Sequence, residues 1–360
     1  MNVLKKIKSF FYLNIDGEHK EIYPFYAFRF LFFVAIFVHH SFNLVKVDFL
    51  RQPAMAVSGF IILSGFLNGY IYLNKYKVNL KEIYSFTIKR IKKFYLLHVV
   101  MLFVSISYSG VFNYSKASEF VPFLKKLLAN LTLTQSWINN KDIYFSFNGV
   151  TWFLSTYLFL TLITIPLLFM IKKVKDSKYG KMKLILLSLI LFITTFIIVY
   201  YVSTNNLNRE FWIYVFPPSR AIEYFIGMAI GSLIPKTIKK FKYDKITFTI
   251  FEITSMLLLV IEIMYVKNTL ILNARMNMYL IPLLLMFCIF SYQKGHVSLL
   301  LSNKMAVYLG KVSMYMFIIH QPLIRLLSHN VVHYRYLALY IFILTIIISC
   351  LIEKIYKKSN

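Results

Sequence analysis

Two polar side chains stand inside the first apolar stretch of the chain, Arg29 and His40 of YPFYAFRFLFFVAIFVHHSF. An ionisable group in such a segment is costly unless it has a partner or a task. Eleven residues separate the two. Over that separation a helix turns three times plus roughly 20° and rises about 16 Å. Both side chains therefore lie on one face, while His39 is turned about 100° away. A guanidinium stays charged and binds phosphate or carboxylate bidentately. An imidazole accepts and returns a proton near neutral pH. The pair offers anion binding at one end of a helix and proton transfer at the other. The structural alternative is an arginine reaching lipid phosphates and a histidine bonded to a neighbouring helix.

Further candidates follow along the chain. VSGFIILSGFLNGY carries Ser58-Gly59 and Ser64-Gly65, small residues that let a second backbone approach. IKRIKKFY sets Lys89, Arg90, Lys92 and Lys93 in one cluster. It reads either as an orientation signal touching anionic lipid or as a clamp for the phosphates of a donor such as an acyl-CoA. Trp152 opens WFLSTYLFL and is of the type that anchors a span at the interface. Arg220 and Glu223 sit three residues apart on one helical face, where they neutralise each other or serve a site. His320 and Arg325 lie in FIIHQPLIRLL, with Pro322 loosening the backbone between them. Glu252 and Glu262 share one apolar run and have no partner legible nearby, so a proton path and helix-to-helix bonding both stay open. His98 and His329 read as structural. Cys288 and Cys350 give no CxxC motif, and no ligand cluster calls for a metal.

The elements that must position these groups are membrane helices. The chain is 59% hydrophobic and 15% charged, with a mean hydropathy of +0.64. Apolar runs long enough to cross a bilayer recur throughout. They predict an all-α, polytopic membrane helix bundle with about ten transmembrane helices, at 25–45, 53–73, 94–113, 149–171, 184–202, 217–235, 246–266, 276–293, 306–328 and 334–353. Lys and Arg alternate in density between the connections, 28 on one side against 10 on the other. That bias predicts both termini in the cytoplasm. It also explains the net charge of +27 as topology, which excludes nucleic acid as the expected partner. The expected organisation is a cytoplasmic segment 1–24, a membrane domain 25–353 and a cytoplasmic tail 354–360. The connection 114–148 is amphipathic, and two readings are open: a helix flat on the outer leaflet, or one packed over the bundle.

Taken in order, these segments resemble the membrane acyltransferase-3 family of cell-envelope O-acyltransferases, from about residue 23 to 353. The resemblance rests on Arg29 and His40 with ten residues between, on Ser64-Gly65-Phe66, on the basic pair Arg90 and Lys93, on the tryptophan-led WFLSTYLF, and on RAIEYFIGMAIG and LGKVSMYMFIIHQPLI. Lys93 stands where the family usually has arginine. Thr156-Tyr157 stands where many members have an acidic residue, so no catalytic acid is expected there. The resemblance implies transfer of an acyl group, usually acetyl from acetyl-CoA, onto a hydroxyl of an envelope or exported saccharide or lipid-linked glycan at the bacterial cytoplasmic membrane. It implies no bound cofactor and a donor substrate that is an acyl-CoA. His40 would act as general base or carry the acyl group, with Arg29 near the donor. Arg90 and Lys93 would bind the donor, and Ser64, Trp152, Arg220, Glu223 and His320 are possible additions. The competing expectation is a saccharide flippase or exporter that uses the same polar interior, with Glu252, Glu262 and Arg325 along its path.

Overall fold

Pro24 starts the first long helix, because its missing N–H would be unpaired there in any case and its φ is preset. The apolar residues after it carry α1 over Pro24–His40. The rest of the computed structural model is equally helical. α2 is Phe42–Val45, α3 Pro53–Tyr72, α4 Leu80–Ser107, α5 Ala117–Leu131 and α6 Lys141–Tyr144. α7 is Trp152–Lys175, α8 Gly180–Thr204, α9 Pro217–Leu233 and α10 Lys245–Val266. α11 is Leu280–Phe290, α12 His296–Leu301, α13 Lys304–Leu327 and α14 Arg335–Lys358. A short π-helix at Glu210–Val215 precedes α9. The structure describes residues 12–13, 21–45, 53–108, 117–235, 244–266, 278–328 and 335–358. His329, most of 1–24 and the last two residues of the tail lie outside them.

Each of the ten expected apolar runs contains a helix. Among the described residues, five stretches are long and apolar enough to cross a membrane: Pro53–Tyr72, Gly149–Lys175, Gly180–Thr204, Lys245–Met264 and Tyr336–Lys358. α8 shows the reason, for Ile185, Ile193 and Ile197 are exposed along a helix with little polar surface. That is the pattern of a face meant for lipid.

The boundary that differs most from the sequence reading is the start of α4. α4 begins at Leu80, well before the expected 94. Asn79 caps it, its Oδ1 accepting from the N–H of Glu82 at 2.8 Å, so the basic stretch is helix and not loop. Arg90 and Lys93 therefore ride on a rigid element.

Two close packings set the interior. α3 and α9 make the most extensive pairing in the bundle. A Cβ at Gly65 would overlap the Tyr224 carbonyl, and one at Gly227 would overlap the Ile62 carbonyl, so the two backbones touch through their small residues. α1 and α13 pair next most extensively. There Gly310 leaves room for the Tyr26 carbonyl. This contact brings the far end of α1, with His40, against the far end of α13, with His320.

Candidate functional site

Two sets of cavities flank the middle of α1. The first, of about 490 Å³, lies at its C-terminal end and is lined by His39, His40, Trp152, Tyr214, Gln321 and Arg325 among others. Behind its wall the Nδ1 of His40 stands 2.9 Å from the Nε2 of His320. His320 is fully buried, and its own Nδ1 is 2.8 Å from the Phe317 carbonyl. A carbonyl only accepts, so the His320 proton sits on Nδ1 and its Nε2 must accept. His40 then donates from Nδ1, which leaves a lone pair on its Nε2, and His40 itself lines the cavity. The two rings and the carbonyl form one hydrogen-bonded chain that selects the tautomer of His40. A second histidine here does what a carboxylate does in other acid–base sites.

Backbone chemistry explains why α13 holds this chain in place. Pro322 has no N–H to offer the Ile318 carbonyl one turn earlier. That carbonyl instead accepts from Asn148 Nδ2 at 2.9 Å. Gln321 Oε1 accepts from the Val150 N–H at 3.1 Å, and Arg325 Nη1 donates to the Phe147 carbonyl at 2.7 Å. The 147–151 segment is thus stitched to α13 and forms one wall of the cavity. Trp152 follows directly. It is 4% exposed and packs against Tyr214 with tilted rings at a centroid distance of 4.7 Å. The expected interfacial anchor is therefore an interior wall residue, because the 3-10 turn Gly149–Thr151 tucks it inside. At the rim, Glu210 pairs with Lys141 at 2.9 Å and accepts from Tyr144. That bond pushes the Lys141 ammonium pKa up.

The second set lies around Arg29. A cavity of about 400 Å³ is lined by Arg29, Ser64, Asn68, Tyr72, Arg90 and Tyr157 among others. A smaller one of about 130 Å³ shares Arg29, Ser64 and Tyr157 with it and adds Lys93 and Lys311. Arg90 donates to Asn68 Oδ1 at 2.9 Å and lies 3.6 Å over the Phe86 ring. Asn68 in turn donates to Tyr224, whose hydroxyl meets Thr164. The guanidinium is held in place by Asn68 and Phe86 in the wall of the cavity. Lys93 is less available, since Glu353 lies 3.9 Å away. Arg29, Arg90, Lys93 and Lys311 line these cavities with the carboxylate of Glu21, which pairs with Lys311, so the lining is cationic on balance, a setting for phosphates.

The structure thus places His40 and Trp152 in the wall of one cavity, with His320 buried directly behind His40, and Arg29, Ser64, Arg90 and Lys93 around the cavities at the other end. Arg220 and Glu223 line neither. They form a buried ion pair at 2.7 Å, with Arg220 also donating to Ser58. Glu252 has partners the sequence hid. It accepts from the N–H groups of Gly295, Val297 and Ser298 and from the Ser298 hydroxyl. His98 is buried and bonded to the Asn130 carbonyl. Asn68, Tyr214 and Gln321 are site residues that sequence reasoning missed. The Asn68–Tyr224 contact spans 156 residues, and no local spacing signals it. Among the described residues no cluster of three or more His, Cys, Asp or Glu side chains is placed to hold a metal ion.

No curated protein and no solved structure gives a significant match to the chain. The profile of the acyltransferase-3 family, described as an acyltransferase domain, matches residues 25–354. That span includes every residue of both cavity sets from Phe25 onward. The chain belongs to the acyltransferase-3 family and is a multi-pass membrane acyltransferase.

Proposed function

We propose that the protein moves a small acyl group, acetyl in the simplest case, from acyl-CoA to a hydroxyl of an envelope or exported saccharide. The observation that carries this reading is the free lone pair on His40 Nε2, created by the chain from His40 through His320 to the Phe317 carbonyl. His40 lines a cavity large enough for part of a sugar. In the acyltransferase reading the acceptor hydroxyl oxygen attacks the thioester carbonyl and a C–O bond forms as the C–S bond breaks. His40 Nε2 takes the hydroxyl proton and returns it to the departing thiolate. A variant in which Nε2 first carries the acyl group uses the same lone pair.

The cationic cavity at Arg29 and Arg90 suits the phosphates of the CoA. The bias of 28 basic residues against 10 supports ten crossings of a bacterial cytoplasmic membrane, both termini inside, and the Arg29 end at the cytoplasm. The donor would then enter where it is made, and the acceptor would meet His40 near the outer face.

The test uses membrane vesicles that contain the protein and the cell's own envelope saccharides, supplied with acetyl-CoA. Release of free CoA matched by a gain of acetyl mass on the saccharide is the expected result. An intact thioester together with saccharide movement across the bilayer would mark a flippase instead.

A further inference from the structure

Three phenylalanines stand between the two sets of cavities. Phe60 of α3, Phe153 of α7 and Phe317 of α13 touch one another, with ring centroids 6.3, 6.4 and 5.3 Å apart and edges turned toward faces. All three are buried. Phe60 and Phe153 line the smaller cavity beside Arg29 and Lys93. Phe317 lines the His40 cavity. The two cavities have no lining residue in common. The cluster is therefore the partition between a cationic chamber and the imidazole.

We propose that Phe60, Phe153 and Phe317 form an aromatic gate that decides which acyl groups reach His40. The inference rests on the acyl-transfer reading above. An acyl-CoA held by its phosphates near Arg29 presents the acyl group as its leading end. That end has to pass the three rings to meet the lone pair on His40, about 16 Å along α1. Edge-to-face rings close tightly against water, which keeps the thioester from hydrolysis while no acceptor is bound. They part by side-chain rotation, while α13 stays pinned through the Asn148 bond to the Ile318 carbonyl. A small acyl group needs a small opening. Each further methylene meets a packed aromatic wall, and one methylene in such a site changes rates by about 10- to 200-fold.

Phe317 has a second part in this. Its carbonyl is the acceptor that sets the His320 proton, and its ring lies 5.9 Å from the His320 ring. Movement of the gate and alignment of the base share one residue.

Two measurements test the gate. In wild-type vesicles, butyryl-CoA is expected to compete with acetyl-CoA at similar concentrations yet transfer its acyl group at least about tenfold more slowly. Equal transfer of both acyl groups would overturn the proposal. In the second, Phe60→Leu, Phe153→Leu and Phe317→Leu, each checked for a single peak on size exclusion, are compared with wild type. The butyryl-to-acetyl ratio should rise about tenfold or more in folded variants. An unchanged ratio in folded variants, with acetyl transfer intact in the wild type, overturns the gate alone. A wild type inert to every acyl-CoA overturns the acyl-transfer reading, and the gate with it.

Discussion

His40 and His320 are 280 residues apart in sequence and 2.9 Å apart across the interface of α1 and α13. His320 is a positioning residue, since its Nε2 holds the His40 ring and its Nδ1 is tied to the backbone. Removing one partner of such a buried hydrogen bond costs about 1–3 kcal/mol, because the other is left unpaired.

Replacing His320 by Phe should lower the acyl-transfer rate by roughly ten- to a hundredfold at an unchanged KM for acetyl-CoA. His320→Gln keeps an acceptor oxygen within reach and should retain more activity than His320→Phe. Steady-state kinetics of CoA release checks both. Equal losses in the two variants would mean that His320 only fills space.

The two cationic donors of α4 should not behave alike. Arg90 is held in the wall of the Arg29 cavity by Asn68, whereas Lys93 is shared with Glu353. Arg90→Ala should raise the KM for acetyl-CoA roughly tenfold or more, by loss of a charged hydrogen bond. Lys93→Ala should raise it less. The effect of Arg90→Ala should persist when salt is increased, because a partly buried charge is screened much less than an exposed one. Initial rates at several salt concentrations measure this.

Helix approach gives a structural prediction. A methyl group at Gly65 meets the backbone carbonyl of Tyr224, while one at Gly59 meets the far edge of the Phe32 ring. A ring edge can shift and a backbone cannot. Gly65→Ala should destabilise the protein by about 1–3 kcal/mol, and Gly59→Ala by less. Thermal unfolding in detergent would show the order.

Glu252 offers a way to separate transfer from transport. Its carboxylate caps three backbone N–H groups and the Ser298 hydroxyl at the start of α12. Removing it leaves buried donors unpaired at about 1–3 kcal/mol each. Glu252→Ala should lower the melting temperature, while the KM for acetyl-CoA of the protein that remains folded stays the same. A stable variant that no longer moves saccharide would favour the pathway role.

What the sequence made legible was whatever lay within one helix. Arg29 and His40 could be placed on a common face because eleven residues close three turns. The apolar runs announced α7 and α8 by length. What stayed hidden was carried by contacts between helices. No spacing tells His40 that His320 will stand beside it, or Glu252 that its carboxylate will cap α12. Trp152 misled for a related reason. At the head of an apolar run a tryptophan reads as an anchor, but the Gly149–Thr151 turn directs it inward. The basic cluster around Arg90 read as a connection because charge hid a helix that Asn79 had already started.

The central claim is that His40, and not its neighbour His39, supplies the lone pair. Both side chains line the same cavity, but His40 is the one bonded to His320. The direct measurement is mass spectrometry of envelope saccharides from cells carrying the wild type, His39→Ala or His40→Ala. The expected result is an acyl mass retained with His39→Ala and lost with His40→Ala, a fall of about a hundredfold or more in the modified fraction formed per unit time. Retention of the acyl mass with His40→Ala, or its loss with His39→Ala alone, would contradict the account.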